Sequence, residues 1–257
     1  ASSVDLPAPE APTSATDSPA PISSETPSTM VSSPSGLLTF RDTSAALRTT
    51  LRSIGVLLVG LLLAFSGTAA SAADGTLLVF GDSLSAAYGL DASQGWVSLL
   101  QKRLLERGYG LKVVNASVSG ETTHGGRSRL ARALDQHHPR IVILELGGND
   151  ALRGLPLTST RDNLLAMARA AQAAGAKVIV VGMQVPPNYG SAYARDFENV
   201  FGDVARQAKA GLVPFLLKGV ADRADAMEWF QPDRIHPLAK AHPQMLDNVW
   251  PALKPLL

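Results

Sequence analysis

Ser83 lies in Gly81-Asp82-Ser83-Leu84-Ser85, directly after the apolar run Thr76 to Phe80, and Asp233 precedes His236 by three residues in "QPDRIHP". A serine hydroxyl is a weak nucleophile until a base takes its proton, and an imidazole does this near neutral pH. The imidazole in turn needs a carboxylate on its second nitrogen to fix its tautomer. Asp233 can reach His236 within one turn of chain. Attack on a carbonyl carbon creates an oxyanion, and the loss of one preplaced donor to it costs roughly 3–4 kcal/mol. Gly120 in "NASVSGETT" and Asn149 in "GGND" are candidates to supply such donors. The oxyanion hole would consist of the backbone N–H groups of Ser83 and Gly120 and the side-chain amide of Asn149.

Each residue also has a plain reading. Ser83 or Asp82 can cap a helix. Gly120, Gly147 and Gly148 can be turn glycines, Asn149 can occupy a left-handed turn, and Asp233 with His236 can be a surface pair. What argues for acyl transfer is the set: nucleophile, base, orienting carboxylate and donors in one chain. The other histidines, His124, His137, His138 and His242, lack an adjacent carboxylate and read as solvated or structural. The elbow G-x-S-x-G of the α/β-hydrolases is absent, because Ser85 stands where its second glycine would be. There is no phosphate loop, no clustered metal-ligand spacing and no cysteine. A formal net charge of +1 gives no reason to expect a nucleic-acid partner.

The elements that must position these residues alternate. "TLLVF", "LKVVN", "RIVILEL", "KVIVVGM" and "GLVPFL" read as five strands, the last an edge strand because of Pro214. Between them lie helical patterns: "GWVSLLQKRLLERG", "GGRSRLARALDQHHP", "STRDNLLAMARAAQAAG", and a stretch from Tyr193 to Ala208. Ser159 and Asp162 are spaced as a capping box for the third. A final helix is expected over Pro237 to Leu253, with Pro243 interrupting it early. Strands alternating with helices imply right-handed β-α-β units, hence a three-layer α/β/α sandwich on a parallel five-stranded sheet. Ligands in such sheets bind beyond the carboxyl ends of the strands. The Ser83, Gly120 and Asn149 blocks each follow a strand, and the Asp233–His236 block can fold back over them.

The front of the chain is different. Residues 1–47 are rich in Pro, Ser, Thr and Ala and cannot bury enough apolar surface to offset their ordering entropy, so they are expected to be disordered. Met30 within them is a possible alternative start. Residues 48–72 carry Arg48 and Arg52, the apolar run Ile54 to Phe65 and the small-residue site Ala70-Ser71-Ala72, the order of a secretory signal peptide. The run spans about 18 Å as a helix against a bilayer core of about 30 Å, which favours cleavage near Ala72 over an uncleaved anchor. Residues 73–257 then form the folded domain, in the periplasm or outside the cell.

"FGDSLSAAYG", "NASVSGETT", "ELGGND" and "DRIHP" resemble, in order and spacing, the successive blocks of the SGNH hydrolases of the GDSL type. The resemblance covers Ala73 to Leu257. Within that family the chain is similar to the group of small periplasmic thioesterase I, lysophospholipase and arylesterase enzymes. The resemblance implies a flavodoxin-like fold and hydrolysis of carboxylic esters and thioesters, such as acyl-CoA, lysophospholipid and aryl esters. It assigns Ser83, Asp233 and His236 as the catalytic triad and Gly120 and Asn149 to the oxyanion hole, with no metal or cofactor. The partners expected are small-molecule acyl substrates bound by a monomer, without nucleic acid and without membrane insertion after cleavage. The loop Gln184 to Tyr193, with Leu152 and Leu155, is expected to line an acyl groove. Two other readings are a carbohydrate acetylesterase of the same family and a non-catalytic envelope binding protein.

Overall fold

A computed structural model describes residues 75–257; the expected lead and signal segment lie outside the described residues. Five parallel strands make one sheet: β1 (Gly75–Gly81), β2 (Leu111–Asn115), β3 (Pro139–Glu145), β4 (Lys177–Val181) and β5 (Gly211–Val213), in the order β2-β1-β3-β4-β5. In β1 Leu77 to Phe80 are fully buried, as are Ile141 to Leu144 in β3. That is why these strands read as unbroken apolar runs rather than alternating ones. Each such side chain contributes roughly 1.5–3 kcal/mol by leaving water, so the strands adjoining the site are among the most firmly held parts of the fold.

Among the described residues, six α-helices surround the sheet: α1 (Trp96–Glu106), α2 (Thr123–His137), α3 (Gly148–Leu152), α4 (Leu157–Ala173), α5 (Ser191–Ala208) and α6 (His242–Leu253). Helix α1 packs with α6, while α4 packs with both α2 and α5. Right-handed crossovers put the first pair on one face of the sheet and the other three on the opposite face, which gives the α/β/α sandwich. None of the described helices is long and apolar enough to cross a membrane.

Several boundaries differ from the sequence reading, and the last helix, expected from Pro237, starts at His242. Helix α4 starts at Leu157 with Pro156 as its N-cap, so Ser159 lies inside the first turn and makes no capping box. The Pro156 carbonyl takes the early amides, accepting from Ser159 and Thr160 at 3.0 and 3.1 Å. Pro243 does not interrupt the last helix but sits in its first turn, where a missing N–H has no partner to lose. Pro214 ends β5 after three residues, at the sheet edge.

The strand order fixes where a site can form. The chain leaves β1 for β2 on one side and returns to pair β3 on the other, so the loops after β1 and β3 diverge and open a crevice. Ser83 follows β1 and Asn149 follows β3.

Candidate active site

The chain turns sharply after Gly81. Asp82 Oδ1 accepts from the Leu84 amide at 3.0 Å, so the cap of this turn is Asp82 and the Ser83 hydroxyl stays free for another partner. That partner is His236, whose Nε2 lies 2.8 Å from Ser83 Oγ. His236 Nδ1 lies 2.6 Å from Asp233 Oδ2. Burial pushes the Asp233 carboxyl up, but the His236 amide, the His236 ring and the Ile235 amide together hold it down at about 2. An ionised carboxylate only accepts, so Nδ1 carries the ring proton and Nε2 is left to accept from the serine.

Asp233 also builds the turn that carries its partner. Its Oδ1 accepts from the amides of Ile235 and His236, both at 3.0 Å. Arg234, between Asp233 and Ile235, takes φ +60°, a region unfavourable to side chains other than Asn and Asp. A short antiparallel bridge, Phe230 with Pro237, closes the loop, and the Gln231 amide donates to the His236 carbonyl at 2.7 Å. The Gln231 side chain then reaches out: its Nε2 donates to Tyr88 O at 2.8 Å and to Pro237 O at 3.1 Å. This glutamine ties the histidine loop to the serine loop. The Tyr88 ring lies 4.4 Å from the His236 ring between centroids.

The donors expected for an oxyanion come from three elements. Gly120, at φ +77°, sits in the turn after β2, and its carbonyl accepts from Arg153 at 2.8 Å. The Val118 amide donates to Gly81 O at 3.0 Å, which holds that turn beside the serine block. Among the described residues, no hydrogen bond occupies the amides of Ser83 or Gly120. Asn149 lies in the first turn of α3, not in a left-handed turn; Gly147, at φ +123°, absorbs the positive angle instead. Asn149 Nδ2 donates one proton to Asp82 Oδ2 at 3.0 Å, which leaves its second N–H available.

Sequence reasoning named Asp82 only as a cap and missed Glu145 and Asp150; all three are buried acids beneath this site, none more than 3% exposed. Asp150 accepts from the Thr123 amide at 2.8 Å and from its hydroxyl, pinning the start of α2. Glu145 accepts from Ser85 Oγ at 2.6 Å and from the Asp82 amide at 3.3 Å. Burial, then the nearby Asp82 charge, raises the Glu145 carboxyl well above its usual range. Burial also lifts Asp82 to about 6, against the opposing pull of the Leu84 and Asn149 donors. A signal was present: Glu145 is a charge inside the otherwise apolar run "RIVILEL".

The remaining histidines fall elsewhere. His124 and His138 are exposed, and His138 is a left-handed C-cap of α2. His242 is buried, and its Nδ1 accepts from the Trp96 amide at 3.0 Å. The loop after β4 leads into an aromatic row of Tyr189, Tyr193, Phe197 and Phe201, spaced 5.1 to 6.4 Å between centroids. It ends against Gly147, where an added Cβ would meet the Phe201 ring at 3.2 Å. Four of the six exposed large apolar side chains among the described residues stand on segments that carry the site: Tyr88, Val118 and Ile235 on its loops and Leu152 at the end of α3.

Residues 79–243 match the GDSL-like lipase/acylhydrolase family. The chain is 55% identical over 186 residues to the esterase TesA of Pseudomonas aeruginosa, covering 72% of this chain and 91% of that one. It is 39% identical over 188 residues to thioesterase 1/protease 1/lysophospholipase L1 of Escherichia coli K12, covering 73% and 87%. Among solved structures, the psychrotrophic esterase EstA of a Pseudoalteromonas species, inhibited by monoethylphosphonate, superposes with a TM-score of 0.66 at 38% identity over 71% of this chain and 98% of that one. With the hydroxyl–imidazole–carboxylate relay at the β1/β3 crevice and relatives that match nearly end to end, this chain belongs to the GDSL-like lipase/acylhydrolase family and is a hydrolase of that type.

Proposed function

We propose that the protein hydrolyses carboxylic esters and thioesters through an acyl-enzyme on Ser83. The observation that carries this is the continuous relay, 2.8 Å from Ser83 to His236 and 2.6 Å from His236 to Asp233. His236 Nε2 takes the hydroxyl proton as Oγ attacks the acyl carbon, and Asp233 stabilises the imidazolium that results. The negative charge that develops on the carbonyl oxygen is met by the amides of Ser83 and Gly120 and by the second N–H of Asn149. The imidazolium then protonates the departing alcohol or thiol. Water, activated by the same nitrogen, releases the acid and restores the serine.

The rim supports the substrate class proposed. Tyr88, Val118, Leu152 and Ile235 offer apolar surface around the crevice, which suits an aryl or fatty-acyl group better than a sugar. Leu152 is assigned to the acyl groove on the same ground, and Leu155 and the loop Gln184 to Tyr193 by their place after β3 and β4 at the carboxyl end of the sheet. Residues 48–72 are assigned to export, with the mature enzyme acting in the periplasm or outside the cell as a monomer. Rates on nitrophenyl esters from acetyl to dodecanoyl, and on acyl-CoA thioesters, test this reading. Activity is expected to persist at octanoyl and longer; a maximum at acetyl with none at octanoyl would favour a carbohydrate acetylesterase instead. Ser83→Ala is expected to remove hydrolysis on every substrate.

A further inference from the structure

The buried pair Asp82 and Glu145 takes no part in the proton relay, yet it sits directly under it. Asp82 is 3% exposed and uses both carboxylate oxygens as acceptors: Oδ1 takes the Leu84 amide at 3.0 Å and Oδ2 takes Asn149 Nδ2 at 3.0 Å. A simple cap would need only the first bond, and a serine or asparagine can make it. The second bond requires something more specific. The Asn149 side chain has a donor end and an acceptor end of nearly equal shape, and nothing in its own bonding decides which end faces the crevice. A carboxylate has no proton to offer, so it accepts only the nitrogen.

We infer that Asp82 is a positioning residue that fixes the side-chain amide of Asn149 with its nitrogen toward the site, so that an N–H rather than a carbonyl oxygen meets the substrate's developing oxyanion. The inference rests on the oxyanion role proposed for Asn149. Glu145 completes the arrangement from below. It receives the Asp82 amide and the Ser85 hydroxyl, holding the turn that aims the Asp82 carboxylate. Gly81 is the residue that admits it, since a Cβ there would lie 2.6 Å from Glu145 Oε2 and 2.8 Å from Ser85 Oγ. Two carboxyls so close and so dry do not both ionise. The Leu84 and Asn149 donors favour the ionised form of Asp82, while burial pushes Glu145 well above its usual range.

A rival explanation exists for any effect of Asp82 on rate. Its charge faces His236 and Asp150 as well as Asn149, and it can favour the imidazolium directly. A double-mutant cycle separates the two. In the purified protein, kcat and KM for a nitrophenyl ester are measured for wild type, Asp82→Asn, Asn149→Ala and the double variant. An asparagine at 82 can present its own nitrogen to position 149, so the Asn149 amide turns over and brings its oxygen to the crevice. Asp82→Asn alone is expected to lower kcat at least about tenfold, with KM little changed, the scale set by losing an oxyanion donor. In the Asn149→Ala background the same substitution is expected to cost less than about threefold, since the amide it orients is gone. An equal loss in both backgrounds would overturn the inference and favour the charge on His236. An Asn149→Ala variant with wild-type kcat would instead overturn the oxyanion reading itself.

The wild-type protein supplies a second readout that needs no variant to fold. In a nitrogen-15 spectrum the two Asn149 side-chain protons are expected to differ, one protected from solvent exchange by Asp82 and one exchanging freely. Two protons exchanging alike would contradict the inference.

Discussion

His242 gives the most direct access to the energetics of the fold. It is 1% exposed, and its Nδ1 must be unprotonated to accept from the Trp96 amide. Burial lowers its pKa from 6.5 to about 4. Between those values the unfolded chain binds a proton that the native state refuses, so stability from this group is complete above pH 6.5 and is lost as the pH falls toward 4. At 1.36 kcal/mol per pH unit, the loss between pH 7.5 and 4.5 is about 2.5 kcal/mol. His242→Asn isolates this quantity. Asparagine places an acceptor oxygen where Nδ1 stood, keeps the Trp96 bond and does not titrate. At pH 7.5 the variant is expected to be about 1–2 kcal/mol less stable because the shorter side chain leaves space. Its further loss at pH 4.5 is expected to be about 2.5 kcal/mol smaller than that of the wild type. Asp82 and Glu145, raised by burial, pull the other way as the pH falls, but they are common to both proteins and cancel in the difference. Urea unfolding followed by tryptophan fluorescence at the two pH values measures it. Equal pH losses in the two proteins would refute the assignment of a neutral, buried His242.

Three further outcomes are expected. Gly81→Ala forces a methyl group to within 2.6 Å of Glu145 Oε2 and 2.9 Å of its backbone oxygen, and should cost about 1–3 kcal/mol in thermal or urea unfolding; an unchanged Tm would show that the Glu145 carboxyl is not held there. Gln231→Ala removes the bonds to Tyr88 O and Pro237 O, so kcat should fall about tenfold through loosened register of His236, while a wild-type rate would mean the loop holds itself. Asp233→Asn should lower kcat by about 10³–10⁴-fold, as the loss of the orienting carboxylate does in serine triads, and a loss under tenfold would remove Asp233 from the relay.

The strands and helices were legible because their signals are local: short, β-branched apolar runs such as Ile141 to Leu144, closed by glycines, favour strands buried on both faces. The sandwich followed from their alternation. The positions of Ser83, Gly120 and Asn149 were legible for a second reason, that a parallel sheet collects the loops that follow its strands at one end. Where local signals competed, the reading slipped. Ser159 and Asp162 had the spacing of a cap, but Pro156 supplied the carbonyl that caps α4 three residues earlier. Pro243 looked like an interruption and proved to be a first-turn proline. Asp82 and Asp150 were not legible as buried acids, because an aspartate after a strand looks like an ordinary turn residue until the fold encloses it; Glu145, the one charge at the end of an apolar strand, carried a signal that was not read. Gln231 was equally silent, since its bonds cross from position 231 to position 88 and no spacing encodes that meeting.

The central claim is that Ser83 is the nucleophile, activated by His236. Treating the protein with diethyl p-nitrophenyl phosphate and locating the adduct by mass spectrometry of its peptides tests it most directly. The expected result is a single diethylphosphoryl group on Ser83, gained in step with the loss of esterase activity. Full inactivation with the phosphoryl group on another residue, or full activity with Ser83 modified, would contradict it.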